Sequence, residues 1–75
     1  MDGRRLQMFI GKALRELREE FEMSQRDLSE ELGVSSTTVS RWESDSMRPG
    51  IESLMKLAAL FGVTLEELAT AEVAP

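Results

Sequence analysis

Apolar residues recur along this chain at helical intervals. Ile10, Leu14, Leu17 and Phe21 stand at i, i+4, i+7 and i+11, one apolar stripe on one helix. No run alternates with period two, Tyr is absent and β-branched residues are few, so strand signals are missing. Three later stretches repeat one start signal. Met23-Ser24-Gln25-Arg26-Asp27-Leu28 offers Ser24 as N-cap, Asp27 three residues on, and a flanking Met23–Leu28 pair. Val34-Ser35-Ser36-Thr37-Thr38-Val39 offers Ser35 with Val34 and Val39, and Val63-Thr64-Leu65-Glu66-Glu67-Leu68 offers Thr64 and Glu67 with Val63 and Leu68. In each, a hydroxyl can accept from an orphan backbone N–H while the apolar pair staples the chain's entry, and each cap is worth about 1 kcal/mol. Gly33 and Gly62 follow apolar runs as left-handed stops, and Pro49-Gly50 ends a loop before Ile51. The pattern predicts an all-α fold with helices over 4–21, 25–32, 36–43, 51–61 and 65–71.

Length makes this one domain, 1–75, with no linker, duplication or low-complexity segment and a frayed tail over 72–75. A chain this short buries only about 60% of its unfolded surface. With no Cys and no His, neither a disulfide nor a metal staple is available. Packing, capping and association must suffice. The absence of Cys fits a reducing compartment. The most apolar stretch, LMKLAALFGV, is far short of the roughly 20 residues of a membrane span and contains Lys56. Near the N-terminus, Gln7 and Lys12 interrupt the apolar residues and no cleavage site follows, so a cytoplasmic location is expected.

Candidate chemistry narrows further. No His can act as base and no Cys as nucleophile, and no lysine sits in an apolar pocket. Adjacent carboxylates such as Glu19-Glu20 and Glu66-Glu67 diverge around a helix and would not share a metal. No glycine-rich phosphate loop exists. The chain is expected to be no enzyme and to carry no cofactor. The net charge of -5 argues mildly against nucleic acid, for which a basic footprint is usual. Local charge differs: basic residues cluster at Arg4, Arg5, Lys12, Arg15, Arg18 and Arg26, and over 35–50 Arg41 and Arg48 balance Glu43 and Asp45.

The second and third helices are joined only by Gly33-Val34-Ser35, the short glycine-containing turn of a helix-turn-helix. Leu28 and Leu32 point inward, small Ser29 sits where the two helices would cross, and Val34, Val39 and Trp42 close the core. Trp42 is expected in that core rather than stacked on a base. Ser35 is expected as a cap, and Met8, Met23, Met47 and Met55 as core or loop cover.

On the joint pattern SQRDLSEELGVSSTTVSRWE, followed by RP and LMKLAALFGVTLEEL, the chain resembles a lambda-repressor-like helix-turn-helix domain of the Cro/XRE type over about residues 10–69. The resemblance implies that Gln25 touches a DNA phosphate and that Ser36, Thr37 and Arg41 reach base edges. Ser40 and Ser44 match positions facing the groove or backbone, and Arg18 and Glu43 match a buried pair linking the first helix to the end of the third. The alternative for that pair is an exposed bridge of little value. For Arg41 a base edge, a phosphate and a surface ion pair stay open. The chain departs from the family by Glu22 and Asp45 where Gly is frequent, by Ser29 where Ala is usual, and by few basic residues after the third helix.

Two functions follow. In one, the chain is a repressor-like regulator reading duplex DNA. Ser36, Thr37, Ser40 and Arg41 would meet bases, and Gln25, Arg26, Ser44 and Arg48 would hold phosphates. One such helix reads few base pairs, so a homodimer is expected on half-sites about 34 Å apart, with helix five and the tail, including Leu65 and Val73, as its surface. In the other, the fold is a protein-interaction module docking through its acidic surfaces on a toxin, a polymerase subunit or another regulator. Salt dependence separates the two.

Overall fold

The computed structural model describes residues 10–68. Five helices follow in order: α1 (Ile10–Glu20), α2 (Gln25–Leu32), α3 (Ser36–Glu43), α4 (Ile51–Phe61) and α5 (Leu65–Leu68). No strand occurs among the described residues. The expected spans 4–9 and 69–71, the tail, Met8 and Val73 lie outside them. α1 ends one residue short of expectation, with Phe21 as the half-in residue whose N–H still bonds Leu17 O at 3.0 Å.

The start signals act as capping chemistry requires. Ser24 Oγ accepts from the Asp27 N–H at 2.9 Å, and Asp27 Oδ2 accepts from the Ser24 N–H at 2.9 Å. Asp27 thus completes a reciprocal box with a shorter acid than the usual Glu. Thr64 and Glu67 close the same box at the start of α5, at 3.0 and 2.9 Å. Ser35 Oγ accepts from the Thr38 N–H at 3.1 Å. The backbone N–H of Ser24 first, and its hydroxyl second, hold the Asp27 carboxyl below its ordinary value of 3.8.

The stops share one geometry but not one residue type. Gly33 and Gly62 are left-handed at φ 72° and 68°. Glu22 and Asp45 take the same region at φ 56° and 62°. After α1, Met23 N–H bonds Arg18 O and Glu22 N–H bonds Glu19 O; after α3, Ser46 N–H bonds Arg41 O and Asp45 N–H bonds Trp42 O. Both are Schellman closures with an acid where Gly is preferred. A left-handed L-residue costs about 1–2 kcal/mol. Asp45 has compensation, because its Oδ1 accepts from the Gly11 N–H at 3.1 Å. No such bond is seen for Glu22, whose side chain is exposed.

α2 and α3 form the most extensive pairing, α1 packs on α3, α4 touches α2, and α5 joins α4 to α1. Ile10, Leu14, Leu28, Leu32, Val39, Trp42, Leu57, Phe61 and Leu68 make the core, with Leu17, Met23 and Val34 packed against it. Ser29 is buried at the α2–α3 crossing, its hydroxyl donating to Arg26 O at 2.7 Å. Two expectations need correction. Phe21 does not complete a buried stripe: it is 48% exposed, and its ring meets Phe61 edge-on at 5.0 Å. Its N–H keeps the helical bond to Leu17 O, so Phe21 ends the stripe at the margin of the core rather than inside it. Met47 and Met55 are exposed rather than core or cover.

One buried charge pair ties this frame together. Arg18 Nε donates to Glu43 Oε2 at 2.6 Å and Nη2 to Glu43 Oε1 at 3.0 Å, while Nη1 reaches Met23 O at 2.8 Å. Gln25 Nε2 adds a bond to Glu43 Oε1 at 3.0 Å. The two charged side chains are only 12% and 5% exposed. The resemblance implies a buried pair, and the geometry is that of one rather than of an exposed bridge.

Three outcomes follow for stability. Arg18→Ala strands the Glu43 carboxylate and should lose about 3–5 kcal/mol, most of the stability available to a domain of this size. Replacing both partners by Met and Leu should restore much of it; equal thermal melts for wild type and Arg18→Ala would refute this. Glu22→Gly should raise stability by up to about 1 kcal/mol after the unfolded-state penalty for Gly, seen as a higher melting temperature. Asp45→Gly should not, since it also removes the bond to Gly11. For Asp27, a depressed folded pKa means stability present above about pH 4 and lost as pH falls through the lower folded value. Acid titration of Asp27→Asn should show a shallower loss below that point than wild type.

Candidate nucleic-acid interface

α3 is short and amphipathic. Its inner face, Val39 and Trp42, is buried, and Ser35 fixes where it begins. The outward face carries two rows at helical spacing: Ser36, Ser40 and Ser44 in one, Thr37 and Arg41 in the other. All five are exposed. The rows present hydroxyl donors and acceptors with one guanidinium, and five donors in a planar fork make Arg41 the strongest hydrogen-bonding group there.

The far end of α3 is held by its own loop. Arg41 O accepts from Ser46 N–H at 2.9 Å and Met47 N–H at 3.2 Å. Ser44 Oγ also donates to Arg41 O at 3.2 Å and lies 2.8 Å from Ser46 Oγ. The backbone beneath the Arg41 side chain is therefore fixed from three directions. Ser44 and Ser46 spend part of their hydrogen-bonding capacity on the loop itself, a role the sequence reading did not assign to Ser46.

An open cleft of about 310 Å³ lies beside these rows, lined by Arg15, Arg18, Gln25, Ser40, Glu43 and Ser44. It brings three of the expected contact residues together: Gln25 from the start of α2, and Ser40 and Ser44 from α3. Glu43 would repel an anion there, but Arg18 and Gln25 between them occupy its oxygens. The same bonds to Glu43 hold the Arg18 guanidinium above its ordinary pKa against the opposing effect of burial. Arg15 is the lining cation left facing solvent, 64% exposed and 3.3 Å from Glu19. Sequence reading missed it as a site residue. Its signal was the three-residue step from Arg15 to Arg18, which puts both on one side of α1.

Arg26 and Arg48 are not part of this cleft. Arg26 is exposed on α2 with Glu30 at 3.4 Å, and Arg48 is exposed in the α3–α4 loop. Gly50, the residue before α4, offers no side-chain cap to the first N–H groups of that helix. Among the described residues no group of three or more His, Cys, Asp or Glu is placed to hold a metal, and no helix is long and apolar enough to cross a membrane.

Comparison with known proteins agrees with this arrangement. Residues 14–68 match the helix-turn-helix family. The HTH-type transcriptional activator BcrR of Enterococcus faecalis is 38% identical over 65 residues, covering 87% of this chain and 32% of that protein. The chain spans about a third of the length of the curated relatives of this kind. The P22 c2 repressor, solved with a synthetic operator, superposes with a TM-score of 0.78 at 25% identity, over 84% of this chain and 96% of that one. The restriction-modification controller protein C.AhdI of Aeromonas hydrophila gives 0.73 at 28% identity, over 81% and 92%. With its short α2–α3 turn, its outward α3 face and the match over 14–68, the chain belongs to the helix-turn-helix family in its lambda-repressor-like, Cro/XRE form.

Proposed function

We propose that this chain reads specific sequences in double-stranded DNA as a repressor-like transcriptional regulator, with α3 in the major groove of each half-site of a near-palindromic operator bound by a homodimer. The observation that carries the reading is the outward face of α3: exposed hydroxyls and one arginine in two rows, on a helix locked from behind by Val39, Trp42 and the Arg18–Glu43 pair. Ser36, Thr37, Ser40 and Arg41 meet base edges. Thr37 can offer its methyl to a thymine methyl, and Arg41 can take the O6/N7 edge of a guanine. Gln25 and Ser44 hold a phosphate at the cleft and Arg15 joins them, while Arg26 and Arg48 hold phosphates on either side. The solved complex of the P22 c2 repressor with an operator supports this docking. Its name also supports the repressor-like reading, whereas BcrR is an activator.

A second reading, docking to another protein, is favoured by the acidic exposed surface of α1 and α2, where Glu16, Glu19, Glu20, Glu30 and Glu31 face solvent. Salt dependence distinguishes the two. A DNA reader loses affinity with salt at a log–log slope near -0.9 per neutralised phosphate.

Selection from a random duplex pool at about 100 mM salt tests the first reading, with wild type beside Arg41→Ala and Arg15→Ala. A near-palindromic motif is expected. Arg41→Ala should relax one base pair per half-site, a loss of about 1–3 kcal/mol. Arg15→Ala should weaken all sequences alike and lower the salt slope by about 1. Equal enrichment of all sequences, unchanged by either substitution, would overturn the reading in favour of a protein partner.

A further inference from the structure

We propose that the outer face of α4 is an interface for a second copy of this chain, packed antiparallel against α4 of the partner. The inference rests on the dimeric reading above and assigns its surface to α4 rather than to helix five. α4 buries Leu57 and Phe61 and half-buries Leu54, Ala58 and Leu60. Glu52 and Lys56 stand opposite that buried side, but the flank between the two is apolar where a surface helix would turn polar. Ile51 is 64% exposed and Met55 58%, and Ala59, one turn further, is exposed as well. Single exposed apolar residues are ordinary. Here they stand at i, i+4 and i+8, a continuous apolar ridge about 12 Å long.

Glu52 and Lys56 form the adjacent row. Both are exposed, and neither takes part in an ion pair among the described residues. Their order selects the occupant. A two-fold axis crossing the ridge beside Met55, midway in height between Glu52 and Lys56, reverses one helix against the other and keeps the charged rows of both copies on the same flank. Glu52 of each copy then faces Lys56 of the other, twice over by symmetry. A parallel pairing would carry the two rows to opposite flanks, where they could not meet. The row has no net charge, so it favours neither a basic nor an acidic foreign partner. It is complementary to itself.

The size of the ridge sets the strength. A stable interface buries about 800 Å² on each partner, more than one face of an eleven-residue helix offers. Association is therefore weak in free solution. Two copies on neighbouring half-sites would see each other at about millimolar effective concentration, enough for a small contact to couple them.

The chain has no Cys, so a single introduced thiol reports the contact cleanly. Met55→Cys, exposed and close to the proposed axis, should oxidise to a covalent dimer at millimolar protein, and Leu65→Cys should do so far more slowly. Adding Ile51→Glu or Glu52→Lys to Met55→Cys should slow cross-linking by about tenfold, and the swap Glu52→Lys with Lys56→Glu should restore it. Circular dichroism of each variant confirms the fold. Faster cross-linking through Leu65→Cys would overturn the proposal in favour of helix five. So would a rate at Met55→Cys indifferent to Ile51→Glu and Glu52→Lys, or a thiol that stays monomeric because residues flanking the described chain cover it. The duplex selection reports on DNA reading separately. A palindromic motif without Met55→Cys cross-linking refutes this interface alone, and cross-linking without a motif refutes DNA reading alone.

Discussion

Removing a guanidinium and a carboxylate from water carries a penalty of several kcal/mol for each ion, and among the described residues this small fold accepts that penalty at one pair. Arg18 and Glu43 meet it with two mutual bonds, a third from Arg18 to Met23 O and a fourth from Gln25 to Glu43. The return is positional. α1, the α1–α2 turn, the start of α2 and the end of α3 are fixed to one point. A purely apolar contact there could be equally stable. It would not aim the end of α3 with the directionality of a bidentate pair. The exposed rows of α3 inherit their orientation from this buried point.

Close approach supplies the second constraint. A Cβ on Gly11 would lie 2.4 Å from Glu43 O and 2.8 Å from Trp42 O. α1 can therefore cross the end of α3 at backbone distance only with no side chain at residue 11. Ser29 does the corresponding service between α2 and α3, with its hydroxyl satisfied internally. Asp45 then locks the α1 crossing by accepting from the Gly11 N–H while holding a left-handed backbone. An acid at a position that favours Gly is tolerable because its side chain gains a partner that Gly could not offer.

Much of this was legible in the chain because helical signals are local. Caps at Ser24, Ser35 and Thr64, stops at Gly33 and Gly62, and the inward Leu28, Leu32, Val39 and Trp42 all follow from spacing within a few residues. Features that depend on three-dimensional convergence were not. Nothing near Gly11 in the chain points to Glu43, 32 positions on. Arg15 became a candidate only when the fold brought Gln25, Ser40 and Ser44 to the same cleft. The chain's pattern offers Gln25 only as a phosphate contact, yet one of its donors already belongs to Glu43. Phe21 fits the α1 stripe by arithmetic but stands at the helix end, at the margin of the core, where half of it stays exposed.

The acidic total is compatible with an anionic partner once the carboxylates are placed. Those nearest the outward face of α3 are Glu43 and Asp45. The first is engaged by Arg18 and Gln25, and the second accepts from a backbone N–H. Glu19 and Glu30 lie beside Arg15 and Arg26 in exposed i, i+4 pairs that contribute little to stability. Such pairs are loose, so their cations remain available to an incoming phosphate. The remaining acids of α1 and α2 repel an anion that approaches without register, and screening over about 10 Å limits that repulsion to nearby charges. An acidic chain can in this way disfavour random duplexes while leaving Arg41, Arg15 and the α3 hydroxyls to hold one aligned correctly. Specificity then comes as much from the charges that discourage misplacement as from the few groups that make contact.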